Sequence, residues 1–199
     1  MQVAETYTYT RNQIDKLGNT LIFLSQHIQP ASKIGLLQLI YIIEEISIKR
    51  FGFPFLNLKF NVWKQESVSP DLYVELTDEP HLLADYIQKK LVKDHFCIVP
   101  KTGFSDDEFN DDEVNLLNEV VSKFKNYTAK ELIHFTHQKN TLWYNTALKN
   151  GVLEQLENGE INTTDIEINL AELLEGEEDK LNLYKSHKEL LQFSKSLKS

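Results

Sequence analysis

Cysteine is almost missing from this 199-residue chain: Cys97 is the sole example. One thiol excludes an internal disulfide and any Cys-x-x-Cys redox or metal motif. Its apolar neighbours Phe96, Ile98 and Val99 mark it as a buried side chain rather than a nucleophile. Glycine and proline are scarce too, at 7 and 5 residues, and the chain has neither a Gly-rich phosphate loop nor a Gly-x-Ser-x-Gly elbow. No long hydrophobic run occurs. The most apolar stretch, Leu36 to Ile43, is interrupted by Gln38 and stops at Glu44 and Glu45. A bilayer span needs roughly 20 apolar residues. Met1 to Lys16 has no continuous hydrophobic core of the secretory kind. The expectation is a cytoplasmic location and no membrane partner.

A basic excess is also lacking. Lys and Arg number 21 against 30 Asp and Glu, for a formal charge of −9. Phosphate recognition needs a basic surface, which argues against a nucleic-acid partner, and no helix-turn-helix with a basic recognition helix is present. The charge is polarised along the chain. Gly151 to Asp179 holds ten acidic residues and neither Lys nor Arg, whereas Lys180 to Ser199 has five Lys against one Glu. Two readings fit, a solvated face on terminal helices or a surface that attracts a basic protein. The shift suggests a body over residues 1–150 and a helical extension, acidic then basic, over 151–199, ordered alone or against a partner. Apolar residues make up 41% of the chain, enough for an ordinary core without staples.

Hydrophobic spacing predicts a helix over about Asn12 to Gln29, through Ile14, Leu17, Leu21, Leu24 and Ile28, ended by Pro30. A second runs from about Ser32 to Arg50, with Gly52 and Pro54 beyond it. Its apolar residues wrap most of its circumference, which predicts the central helix of the domain. Leu58 to Lys64 alternates like a short strand. Ser69 and Pro70 then open a helix, and Pro80 to about Lys93 reads as another. His95 to Pro100 is β-rich, with the Leu58 strand as its expected partner. Further helices follow over about Asp111 to Lys125, from Thr128 to near His137 with a capping box to Glu131, and over about Thr141 to Lys149 before Gly151. Beyond it, a cap at Thr164 and Asp165 suggests a helix through Leu174, and a final helix carries Leu183, Tyr184, Leu190, Leu191 and Leu197 on one stripe. The fold class is mainly α with a small antiparallel β element, an α+β arrangement.

Three parts of this pattern fall in a recognisable order. Lys33 to Glu45 is an apolar helix; Phe60 to Leu76 runs from a strand bearing Trp63 through a turn into a Ser-Pro helix containing Leu72 and Tyr73; Phe124 to Trp143 is a Thr128-capped helix through Leu132 and Thr136-His137, followed by Trp143. That ordering resembles the Panacea domain family, which includes the SocA-like antitoxins. The middle part departs from the family's usual Gly-Pro-Val, having Glu66-Ser67-Val68 instead. The resemblance implies a helical body that acts as an antitoxin by direct binding to a cognate protein toxin. It also implies a rival, an adaptor that hands a toxin to a protease. Trp63, Tyr73, Thr136, His137 and Trp143 are the candidate partner-binding residues, with Tyr73 at the edge of a groove and either Trp an exposed anchor or a core residue.

Catalytic constellations are weak. Glu131, His134 and His137 share one helical face, which suggests a metal-dependent hydrolase, but spacing alone is a poor zinc signal and nothing nearby supplies a further ligand motif. The paired acids Asp106-Asp107 and Asp111-Asp112 sit in polar sequence and read as solvated. No catalytic residue, metal or cofactor is assigned, and the chain is read as a binding protein rather than an enzyme.

Overall fold

Lys33–Phe51 (α2) is buried nearly all round, because Leu36, Leu37, Leu39, Ile40, Tyr41, Ile42, Ile43 and Ile48 leave no side for solvent. The Ser32 hydroxyl caps its start by accepting from the Gly35 N–H, and Gly52 ends it in the left-handed region at φ 78°. The computed structural model describes residues 9–65 and 67–196. Around α2 pack Arg11–His27 (α1), Pro70–Thr77 (α3), Asp111–Phe124 (α4) and Ala129–His137 (α5). Thr10, Asn110 and Thr128 each form a reciprocal capping box, with Gln13, Glu113 and Glu131. Gly18 of α1 lies against the Tyr86 ring, where a Cβ would stand only 2.3 Å from a ring carbon.

Among the described residues the strands form two small antiparallel pairs, with an isolated bridge from Asn61 to Glu167, as the mainly α expectation requires. Asn61–Val62 (β1) pairs with Ser67–Val68 (β2). Ile87–Val92 (β3) pairs with His95–Pro100 (β4) in the register Ile87 to Pro100 and Val92 to His95. Two expectations fail here. Pro80 to Lys93 is not a helix, and the partner of His95 to Pro100 is the strand immediately before it, not the Leu58 region. The Glu75 carboxylate explains the first failure: it accepts from the backbone N–H groups of His81, Leu82 and Leu83 at 3.0–3.1 Å, holding them in turns. Lys93 and Asp94 then take positive φ, 46° and 66°, closing a two-residue hairpin without the usual Asn-Gly signal.

Leu142–Lys149 (α6) and Leu153–Asn158 (α7) follow α5. The segment after α7 is not the helix expected from Thr164. It runs extended alongside residues 60–64: Val62 N–H donates to Ile166 O at 2.9 Å, Lys64 N–H to Asn162 O at 2.9 Å, and Ile168 N–H to Phe60 O at 2.7 Å. Only Leu170–Leu174 is helical, as a 3-10 turn capped by Asn169. The Thr164 hydroxyl, rather than capping a helix, donates to Val62 O at 2.7 Å. Leu153, Leu156, Ile168, Leu170 and Leu174 are buried in the same core as α2.

Glu178–Ser196 (α8) closes the described chain. Tyr184 is buried and the Lys188 ammonium donates to Asn57 Oδ1 at 2.8 Å, so this helix lies over the Phe53 to Asn57 loop. The apolar stripe expected on it is only partly used, since Leu183 and Leu190 are exposed. Leu197 and Glu66 lie outside the described residues. No helix among the described residues is long and apolar enough to cross a membrane.

Truncation after Gly151 tests how far the body depends on the C-terminal segment. Five buried apolar side chains, at about 1.5–3 kcal/mol each, rival the ~5–15 kcal/mol net stability of a typical domain. The expected outcome is loss of a cooperative melt followed by circular dichroism; a truncated chain that melts cooperatively at the full-length temperature would contradict it.

Candidate functional site

Trp63 lies just past β1, where the chain leaves the ladder for the turn to β2. Its indole N–H donates to Thr164 O at 3.0 Å, and its own carbonyl accepts from the Trp143 indole N–H at 3.1 Å. Both tryptophans thus have the polar partner that a largely enclosed indole needs. Trp143 is only 3% exposed, and the His137 ring stacks on it with centroids 3.8 Å apart and planes 15° from parallel. On the other side Tyr73 meets Trp63 edge to face at 5.0 Å, and the Lys33 ammonium stands 4.0 Å from the Tyr73 ring centroid. Aromatic residues from the β1–β2 turn, α3, α5 and α6 therefore cluster as two ring pairs, His137–Trp143 and Trp63–Tyr73, joined by the hydrogen bond from the Trp143 indole to the Trp63 carbonyl. Trp63, Tyr73 and His137 are half-buried and Trp143 lies beneath them.

Thr136 is 4% exposed and turns the other way, into the core. Its hydroxyl lies 2.7 Å from Gln38 Oε1, with the Leu132 and Ile133 carbonyls also in reach. Gln38, fully buried on α2, is thereby tied to the end of α5. Of the five candidate residues, the structure brings Trp63, Tyr73, His137 and Trp143 into one cluster and places Thr136 as the pin that holds α5 on α2.

Burial determines the protonation of His137. Removal from water favours the neutral ring and pushes its pKa from 6.5 down to about 3. The Nε2 atom is buried with no hydrogen-bond partner. Glu131, one of its supposed co-ligands, is committed to the Thr128 cap through its carboxylate, accepting from the backbone N–H at 2.7 Å and the hydroxyl at 2.8 Å. His134 is exposed. Among the described residues no group of three His, Cys, Asp or Glu is placed to hold a metal ion, so the structure gives no support to the alternative reading of Glu131, His134 and His137 as a metal triad.

A second polar feature, Glu44, is not among the candidates that the sequence suggests. It is fully buried on α2, with Oε2 accepting from Leu56 N–H at 2.8 Å and Oε1 without a partner. Burial raises its pKa from 4.5 to about 7, against the lowering pull of the Leu56, Asn57 and Leu58 amides and the Lys188 ammonium. The available signal was a carboxylate ending the most apolar run in the chain.

A mainly helical body with a Trp-bearing hairpin locked to a Thr-His helix end is the class defined by this geometry. The chain belongs to the family described as antitoxin SocA-like, Panacea domain, whose model matches residues 36–144, more than half of its length. No curated protein and no solved structure matches it.

The two buried titratable groups have opposite pH signatures. His137, depressed in the folded chain, contributes stability that is full above about pH 6.5 and is lost as pH falls toward about 3. Glu44, raised in the folded chain, contributes stability that is full below about pH 4.5 and is lost as pH rises through about 7. His137→Phe is therefore expected to reduce the loss of urea midpoint on acidification to about pH 4. Glu44→Gln should reduce the loss on going to about pH 8.5. An identical pH profile for variant and parent would refute either assignment. Thr136→Val leaves Gln38 Oε1 without its donor and should cost about 1–3 kcal/mol at all these pH values.

Proposed function

We propose that the chain is an antitoxin that neutralises a cognate protein toxin by direct binding. The observation that carries this reading is the match of the SocA-like, Panacea-domain model to residues 36–144, which span α2 through the start of α6 and contain the whole aromatic cluster. Trp63, Tyr73 and His137 keep part of their surface outside, over the buried Trp143 and Thr136. Such rigid, half-buried aromatics suit a protein contact, because little side-chain entropy is lost when a partner covers them. In this reading they form one contact surface and Trp143 and Thr136 fix its shape. The ten acidic residues between Gly151 and Asp179 add attraction toward a basic face of the toxin.

Occlusion of this kind involves no turnover. It works through slow dissociation, and the acidic charge acts chiefly on the rate of encounter. Co-expression with the product of the neighbouring gene tests the reading directly. Restored growth and co-purification are expected with the parent chain. Trp63→Ala should weaken the complex by about tenfold or more if this aromatic is an anchor. Absence of both rescue and co-purification would count against neutralisation by binding, and a shortened toxin half-life in the rescued cells would point to delivery to a protease instead.

A further inference from the structure

The β3–β4 hairpin projects beyond the body it springs from. At its root Ile87 and Ile98 are buried, while toward its tip the directly opposed pair Leu91 and Phe96 are each 63% exposed. Directly opposed residues share a face of the hairpin, so the apolar face that begins in the core continues uncovered toward the tip. Beside it lies a groove of about 440 Å³ between β4, the start of α2 and the end of α3. Pro30, Ile34, Leu76 and Phe96 supply its apolar walls.

The charge of this groove is opposite to that of the chain as a whole. Its charged walls are Lys33 and Lys89, and no Asp or Glu lines it. Both ammonium groups are held in place from the same side: Lys33 donates to the Thr77 hydroxyl at 3.1 Å and Lys89 to the Thr77 carbonyl. A lysine ammonium has three donors, so donors remain for a ligand. Neither lysine has a carboxylate partner among the described residues. α2 also begins here, with no acidic residue in its first turn to offset the positive end of the helix dipole.

We infer that this groove docks a short acidic peptide segment of a partner protein, one apolar side chain seated against Ile34, Leu76 and Phe96 and flanking carboxylates on Lys33 and Lys89. A peptide fits better than a polyanion. Nucleic acid needs an extended basic track, whereas these two cations flank an apolar floor on a chain of net charge −9. The inference rests on the reading that the chain acts by binding another polypeptide, and it adds a contact of opposite charge to the one offered by residues 151–179.

Fluorescence anisotropy with the full chain tests it, using a labelled peptide with a Leu and a Phe among glutamates and a twin in which lysines replace the glutamates. The acidic peptide is expected to bind with Kd below about 1 mM and its twin at least about tenfold more weakly. Lys89→Glu should weaken the acidic peptide about tenfold, and Phe96→Ser about fivefold. The Phe96 side chain is exposed, so an unchanged melting temperature is expected for Phe96→Ser and verifies its folding. No binding, equal binding of the twin, unaffected variants, or tighter binding of a single-stranded oligonucleotide at the same lysines would each overturn the proposal. None of these results involves the toxin, so a failure here leaves neutralisation to stand or fall on the co-expression experiment.

Discussion

Everything near the aromatic cluster depends on the backbone between Phe60 and Lys64 being paired on both sides. On one side it meets Ser67 and Val68 of β2; on the other it makes three ladder hydrogen bonds with the segment 162–168, donating two and accepting one. A two-stranded ribbon is marginal alone in water. The added segment supplies the missing partner and also the Thr164 carbonyl that receives the Trp63 indole. With Trp63 fixed, its carbonyl positions Trp143, and Trp143 provides the flat surface on which His137 stacks. One pairing made across about 100 residues of sequence thus aligns side chains from four elements.

The central helix is held by polar contacts as well as by burial. Gln38, Glu44 and Ser47 are fully buried on α2, and each reaches a different neighbour: Thr136 on α5, the Leu56 amide and the Phe53 carbonyl. A smooth apolar cylinder can rotate among similar packings. Polar groups that must find a partner penalise every rotation but one. Three buried side-chain atoms among the described residues have no hydrogen-bond partner, Glu44 Oε1, His137 Nε2 and Ser67 Oγ, and for Glu44 and His137 burial also moves the pKa toward the uncharged form.

Charge is distributed unevenly along the chain. The acidic residues after Gly151 dominate the long-range field, which is screened within about 8 Å at physiological salt. The hairpin groove, lined by Lys33 and Lys89, is a local exception with an apolar floor. In the proposed role, the first affects how fast a partner arrives and the second how it is oriented.

The amphipathic and all-apolar helices were legible because their information is local. Capping residues at Thr10, Ser32, Asn110 and Thr128 and the apolar run of α2 act within a few turns, and the order of the Trp63, Tyr73, His137 and Trp143 motifs was enough to suggest the family. Misreadings arose where a distant group overrides local preference. Glu75 captures three amides and turns the expected Pro80 helix aside, and the empty edge of β1 draws Thr164 to Ile168 into extended form. Sequence alone determined which segments prefer helix and which side chains seek burial, since these depend on neighbours three or four residues away. Only the tertiary structure decided that Trp143 lies under His137, that Glu44 is sealed beneath the Asn57 loop, and that the hairpin leaves Phe96 in the open, because each of these depends on where remote backbone donors, acceptors and surfaces come to rest.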